Sequence, residues 1–254
     1  MTSTYLKLDV ELPTGNDNKY KLMSEIALPL ALSNIGGVVR GYRFTSGLAD
    51  LTADPVNPSQ VVGTPTKVTD GYSLGNAGYI DTGVKETREF LWCALVRVFS
   101  GGSTTPIITT FVEAAQSNTG KSLGCNLAKI TTAVKMSDTS DSASTFTATN
   151  LTAGNWALMA LSRRIANTTY DEYNFVCKPA GVALQKATSN PLTPVTNSTS
   201  NICIGWAAKS GTFIPNASTI MNFASVHNKG LDINQLEALM NSLVAELAGQ
   251  NIIL

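Results

Sequence analysis

The chain has 254 residues, of which 43% are hydrophobic and only 14% charged. That is enough for one large β domain with a sizeable core, and it leaves a surface whose polarity comes from Ser, Thr, Asn and Gly. With 18 Lys and Arg against 18 Asp and Glu, the chain has no overall field to attract phosphate backbones or anionic lipid, so neither a nucleic-acid nor a membrane partner is expected.

The N-terminus, "MTSTYLKLDVELP", has no basic start followed by an apolar run, so a cleavable secretion signal is not expected. No uninterrupted apolar stretch in the chain approaches the ~20 residues needed to span a bilayer. Residues 1–42 differ from the rest of the chain. "YLKLDVEL" alternates like a strand, and "SEIALPLALSNIGGVVRGY" is apolar and rich in small residues. We read residues 1–42 as an N-terminal extension, either an extra strand or an assembly arm that docks on a neighbour. Its apolar content is too high for a disordered linker.

From residue 43 short strand-like runs succeed one another, separated by Gly, Asn, Ser, Thr and Pro, the spacing of a sandwich or barrel. In "EFLWCALVRVF", Phe90, Trp92, Ala94, Val96 and Val98 share one face while Leu91, Cys93 and Leu95 share the other. Both faces are apolar, which predicts a central strand covered on both sides. "NWALMALSRR" behaves alike, with Trp156, Leu158 and Ala160 opposed to Ala157, Met159 and Leu161. "YNFVCK" and "NICIGWAAK" continue the series, and "KPAG" and "KSGT" have turn composition. "TSDSASTFTATNLTAGN" and "ATSNPLTPVTNSTSN" read as long loops, the kind that often carry function. Cys93, Cys125, Cys177 and Cys203 each sit inside an apolar run and match no zinc spacing, so they are expected to be reduced core thiols.

The chain closes on a helix. Asp232 and Gln235 have the spacing of a capping box, and Leu231 and Leu236 that of a hydrophobic staple. Ile233, Leu236, Leu239, Met240, Leu243, Val244 and Leu247 form one stripe at helical period, with Glu237, Asn241 and Glu246 away from it. Such a stripe must pack on something, most simply the second apolar face that the central strands require.

"STIMNFASVHNKGLDINQLEAL" resembles the end of a concanavalin A-like lectin/glucanase, laminin-G-like domain. These commonly close with an aromatic-Asn-basic-small-Leu turn and a capped helix, and His227 here stands where Tyr is usual. Upstream, "YRFTSGLAD", "GYSLGNAGYIDTG", "FLWCALVRV", "NWALMALSRR" and "NICIGWAAKSGTF" resemble the family's strands in order, over roughly residues 43–248. The resemblance implies an all-β, antiparallel jelly-roll sandwich of two curved sheets with one C-terminal helix, over 43–254. It does not name a ligand, because the fold hosts lectins, hydrolases, adhesion modules and structural domains. Stand-alone domains of this kind, with an added N-terminal segment and no signal peptide, resemble phage tail and virion proteins.

Glycoside hydrolysis needs two carboxylates about 5–9 Å apart. The family's hydrolases use a Glu-x-Asp-x-Glu strand pattern, and none is present. Glu86 and Glu89 in "KETREF" would fall on opposite faces of a strand, as would Asp171 and Glu172 in "YDEY". His227, the only histidine, reads as a structural ring bonded to backbone. "AAQSNTGKS" has Ala115 where a phosphate-binding loop needs Gly and opens no helix, so it reads as a hairpin turn. Asp138, Asp141 and nearby Ser and Thr residues offer calcium two carboxylates toward the 6–8 oxygen ligands it takes; a solvated loop is the favoured reading, with calcium as its alternative, and no cofactor is expected. For sugar binding, aromatic faces stack on pyranose rings while amides and carboxylates bond hydroxyls. The candidate ligand residues are Tyr170, Asp171, Tyr173 and Trp206, with Asn167 and Asn174 nearby. Trp92 and Trp156 are assigned to the core.

These features point to a non-enzymatic virion or surface component. The specific expectation is a phage tail or particle-decoration protein, assembled with itself (a trimer is one arrangement) and with other virion proteins, and able to bind host glycan. Its rivals are a soluble carbohydrate-binding lectin and a polysaccharide hydrolase or lyase.

Overall fold

The computed structural model describes residues 27–52, 55–98, 105–110, 120–125, 130–135, 146–167, 169–189, 198, 200–206 and 218–254. In chain order they form helix α1 (Leu30–Ile35) and strands β1 (Val38–Arg43), β2 (Gln60–Gly63), β3 (Thr66–Val68), β4 (Gly71–Gly75), β5 (Gly78–Lys85), β6 (Phe90–Arg97) and β7 (Thr105–Thr109). Then come β8 (Gly120–Cys125), β9 (Ile130–Lys135), β10 (Thr147–Ala148), β11 (Trp156–Ile165), β12 (Asp171–Pro179), β13 (Gln185–Thr188), β14 (Asn201–Ile204), β15 (Ser218–His227) and helix α2 (Ile233–Ala248). All strand pairs are antiparallel. The main path runs β10-β9-β8-β7-β14-β5-β4-β15-β6-β11-β12-β13, with β1 on β15, β2 on β5 and β3 on β4. The sheet curls until its two halves face each other. The fold is the expected all-β jelly-roll sandwich with one long C-terminal helix.

Strand β6 shows why the chain folds this way. Phe90, Trp92, Ala94 and Val96 enter the core between the two halves, with Ile108, Leu123, Met159 and Phe175. Leu91, Cys93 and Leu95 enter a second core beneath the helices. The register with β11 sets Trp92 against Leu161 and Leu95 against Leu158, so the alternation of one strand matches that of the next. Trp156 departs from its core assignment. It is only half-buried at the margin of the helix-side core, because it opens β11 and lies under the Arg97 guanidinium, 4.4 Å from the ring centroid.

Helix α2 lies on the outer side of the β6–β11–β12 half. Leu236, Leu239, Met240, Leu243 and Leu247 are buried there, while Ile233 and Val244 pack at the rim. The capping box is complete. Asp232 Oδ1 accepts from Asn234 N and Gln235 N, each at 2.9 Å, and Asp232 N donates to Gln235 Oε1 at 3.1 Å. The residue before Leu231 must be glycine, since a Cβ on Gly230 would lie 2.2 Å from the Arg163 carbonyl oxygen. That close approach is stitched by Ser162, whose Oγ accepts from Leu231 N at 2.7 Å and donates to Leu231 O at 3.0 Å.

Residues 28–43 are joined to the same body. Leu28 packs against Gly41, β1 pairs with β15, and Glu246 of α2 accepts the α1 amides of Leu30 and Ala31 at 2.7 and 3.2 Å. His227 is buried. Its Nδ1 lies 3.1 Å from Gly36 O and its Nε2 3.2 Å from Ser225 Oγ, a structural ring as its sequence context suggests. All four cysteines are free and buried. The "KPAG" turn comes after β12, with Val182 N donating to Pro179 O. "KSGT", Asp138 and Asp141 lie outside the described residues. Among the described residues no helix is long and apolar enough to cross a membrane.

Candidate functional site

The four predicted ligand residues do not come together. Strand β12 presents its odd positions to the interior, where Phe175 and Cys177 belong to the core. The same parity carries Asp171 and Tyr173 inward, and both are fully buried. Asp171 Oδ2 accepts from Arg163 Nε at 3.0 Å and Nη2 at 2.5 Å, while Oδ1 accepts from Arg88 Nε at 2.9 Å. Tyr173 packs edge-on to Phe90 and under Arg163. A carboxylate held by two guanidinium groups and a ring in the core offer nothing to a ligand at the surface. Asn174 is buried too, donating to Glu172 Oε1 at 2.8 Å and Leu231 O at 3.1 Å. Tyr170 is 41% exposed in the β11–β12 turn, beside Asn167, whose Oδ1 accepts from Thr169 N and Tyr170 N. Trp206 lies elsewhere, beyond β14.

Glu86 is a core residue, while Glu89 is only partly buried. The Lys121 ammonium donates to Glu86 Oε1, which also accepts from Ser198 N at 2.7 Å. Thr110 Oγ1 adds a longer bond of 3.4 Å to Oε2. Lys121 therefore belongs to strand β8 and not to a hairpin turn, pointing between the sheets with Leu123. Burial lowers the Lys121 ammonium below its ordinary range, and the Glu86 charge offsets part of that shift. With Arg163 and Asp171 this pair fills one end of the inter-sheet space. The Glu89 carboxylate accepts from the Ile165 amide, at 3.4 Å.

A surface arrangement of aromatic, carboxylate and amide side chains is built on β5 and β14. Ile80 points into the core, so its neighbours Tyr79 and Asp81 share the opposite, outer face. Strand β14 pairs alongside, placing Cys203 opposite Asp81. Gly205 comes next in the left-handed region, at φ 90°, and a Cβ there would lie 2.5 Å from Leu74 Cβ. The turn it makes lays Trp206 on Tyr79, ring centroids 5.0 Å apart and planes within 15°. Both rings are half-exposed. Asp81 Oδ1 accepts from Gly83 N at 2.9 Å and from Asn201 Nδ2 at 3.0 Å. Both bonds fall on one oxygen, so the other keeps its capacity to accept from a hydroxyl. Gln60, exposed on β2, pairs in register with Asp81. Burial, then Cys203 and Asp81, raise the Tyr79 phenol above its usual value, so it stays a protonated donor near neutrality.

Sequence reading finds Trp206 but misses Tyr79, Asp81 and Asn201. The parity of "GYIDTG" around a core isoleucine is the available signal. The partnership between residues 79 and 206 has none, because only the β5–β14 pairing creates it. Among the described residues no group of three His, Cys, Asp or Glu side chains could hold a metal ion.

No protein-family model and no curated protein sequence matches the chain. Solved structures do. The botulinum neurotoxin serotype C1 binding domain is 16% identical at a TM-score of 0.55, covering 83% of this chain and 52% of that one. A structure of botulinum neurotoxin type C, whose cell entry is dependent upon interaction with two ganglioside molecules, is 15% identical at 0.55 over 84% of this chain and 53% of that one. Domain 4 of AbnA, a GH43 extracellular arabinanase from Geobacillus stearothermophilus solved with arabinotriose, is 14% identical at 0.52 over 80% of this chain and 97% of that one. The chain spans about half the length of the neurotoxin domains it matches. At these identities the likeness is one of fold: a curled antiparallel jelly-roll sandwich.

Proposed function

We propose that the protein is a non-catalytic, glycan-binding component of a phage particle, a tail or decoration protein that associates with its own copies. The observation that carries the glycan reading is the stacked Tyr79–Trp206 pair beside Asp81 and Asn201, on the outer face of a lectin-like fold. A pyranose ring presents an apolar face that suits an aromatic platform and equatorial hydroxyls that suit a carboxylate and an amide. The arabinanase domain solved with arabinotriose supports the reading through a shared fold.

A glycan array followed by calorimetry tests this. Binding of a neutral oligosaccharide is expected to fall at least tenfold in Trp206→Ala and in Tyr79→Ala, and to be untouched in Tyr170→Ala. Equal binding by all three variants would move the site elsewhere. The particle reading is tested by mass spectrometry of purified virions, and self-association by light scattering. A protein absent from particles and monomeric at all concentrations, yet still binding the sugar, would be a soluble lectin.

A further inference from the structure

A pocket of about 190 Å³ opens where the last residues of β5 and β15 meet the first of β1, β6 and β14. Its walls are apolar. Phe90, Ile202 and Val226 belong to the core between the two halves of the sheet, and Val39 and Val84 pack against that core from its margin. Phe90 is held in place by stacking on Trp92, ring centroids 4.5 Å apart. The β15 side is fixed as well, because Asn228 N donates to Gly37 O at 2.8 Å and the His227 ring lies between Gly36 O and Ser225 Oγ. A cavity of about 150 Å³ lined by aliphatic and aromatic side chains takes up benzene. This pocket therefore has room for one six-membered ring with a small substituent.

The rim is polar. Lys85, Thr87 and Asn228 are the exposed members of the lining. The Thr87 hydroxyl is committed, since its Oγ1 donates to Glu89 O. The Lys85 ammonium and the Asn228 side-chain amide have no partner among the described residues. Glu86, next to Lys85 in the chain, does not neutralise it, because that carboxylate is buried against Lys121. A wholly apolar pocket with a cation and an amide donor at its edge asks for a ligand of matching polarity. We propose that it binds a small carboxylic acid whose body is a single apolar ring. The ring sits among Val39, Val84, Phe90, Ile202 and Val226, and the carboxylate accepts from Lys85 and Asn228 at the rim.

This site is separate from the Tyr79–Trp206 surface, because Tyr79 and Asp81 face outward from β5 while Val84 faces the core. It stands or falls independently of the glycan reading. An NMR titration of the full chain tests it with three probes: benzoate carries ring and charge, benzyl alcohol the ring alone, and acetate the charge alone. Benzoate is expected to shift the amides of Val84, Lys85, Val226 and Asn228 saturably, with a Kd on the order of 1 mM. Benzyl alcohol and acetate should each bind at least about fivefold more weakly. Lys85→Gln, at an exposed position, should weaken benzoate by about fivefold and leave benzyl alcohol where it was. Val84→Phe fills the pocket and should abolish saturation by benzoate. Benzoate that fails to saturate those amides at about twenty times the expected Kd would overturn the proposal. So would equal binding of benzoate and benzyl alcohol, or benzoate affinity unchanged in Lys85→Gln, and these two results decide the matter even if Val84→Phe does not fold.

Discussion

Removing the Lys121 ammonium tests whether charge inside the sandwich is structural. Both side chains of the Lys121–Glu86 pair are fully buried. In Lys121→Met the Glu86 carboxylate keeps the Ser198 amide and the Thr110 hydroxyl but loses the ammonium in direct contact with it. Breaking a buried pair from one side costs about 3–5 kcal/mol. For a chain of this size each kcal/mol moves the melting temperature by about 2–4 °C, so a fall of roughly 6–20 °C is expected. Adding Glu86→Gln removes the remaining charge while keeping an acceptor for Ser198 N. The double variant should recover most of the loss, since the cost lies in a carboxylate stripped of its cation and not in the absence of the pair. Urea unfolding of the wild type, both single variants and the double variant gives the coupling directly. A single-variant loss below about 1 kcal/mol, the scale of an exposed pair, would refute the reasoning. So would strict additivity.

Three further outcomes are expected from the same structure. Asp232→Ala removes the cap of α2 and should cost about 1 kcal/mol, whereas Leu243→Ala, inside the helix-side core, should cost about 2–5 kcal/mol, both read from thermal unfolding. Burial holds the His227 imidazole below its ordinary value, so the unfolded chain takes up its proton first as pH falls. Stability should be full above about pH 6.5, decline below it and level off under the folded-state value, and His227→Gln should flatten that limb in urea midpoints. Burial also pushes the Cys93, Cys177 and Cys203 thiols up. An aromatic disulfide reagent should label none of the four cysteines rapidly in the native protein and all four in denaturant.

What the sequence discloses is what depends on local period. β6 and β11 each carry two apolar faces, and the closing stripe from Ile233 to Leu247 has to cover one of them; all three are visible without coordinates. The capping box is visible too, because Asp232 and Gln235 are three apart. Glu86 and Lys121 are 35 residues apart and bond only across the sandwich, so no local pattern in "KETREF" links its carboxylate to β8. Asp171 and Tyr173 look like ligand residues because they are polar and aromatic and sit beside a turn. Their parity, shared with Phe175 and Cys177, is the signal that sends them inward, and composition alone hides it. Trp206 has the right chemistry, but its partner is hidden, since no local pattern links it to Tyr79.

The division of labour among faces explains where a ligand can sit. The outer side of the β6–β11–β12 half is taken by α1 and α2, and the space between the halves is filled by aliphatic and aromatic side chains with two ion pairs at one end. Strand β5 is different, because beyond its opening glycine only its inward residues, Ile80 and Thr82, are fully buried. Thr82 Oγ1 donates to Ile202 O at 2.7 Å and Arg40 Nε donates to Thr82 O at 2.7 Å, so the strand is pinned from the inside. Tyr79 and Asp81 are thereby held on a rigid element while their outer face stays open, which is what a preorganised binding surface requires. Trp206 lies past the end of its strand, and among the described residues Gly205 and the stacking on Tyr79 set its position. In the proposed site the tyrosine and the carboxylate thus lie on the pinned strand, and the tryptophan on the turn that follows its neighbour.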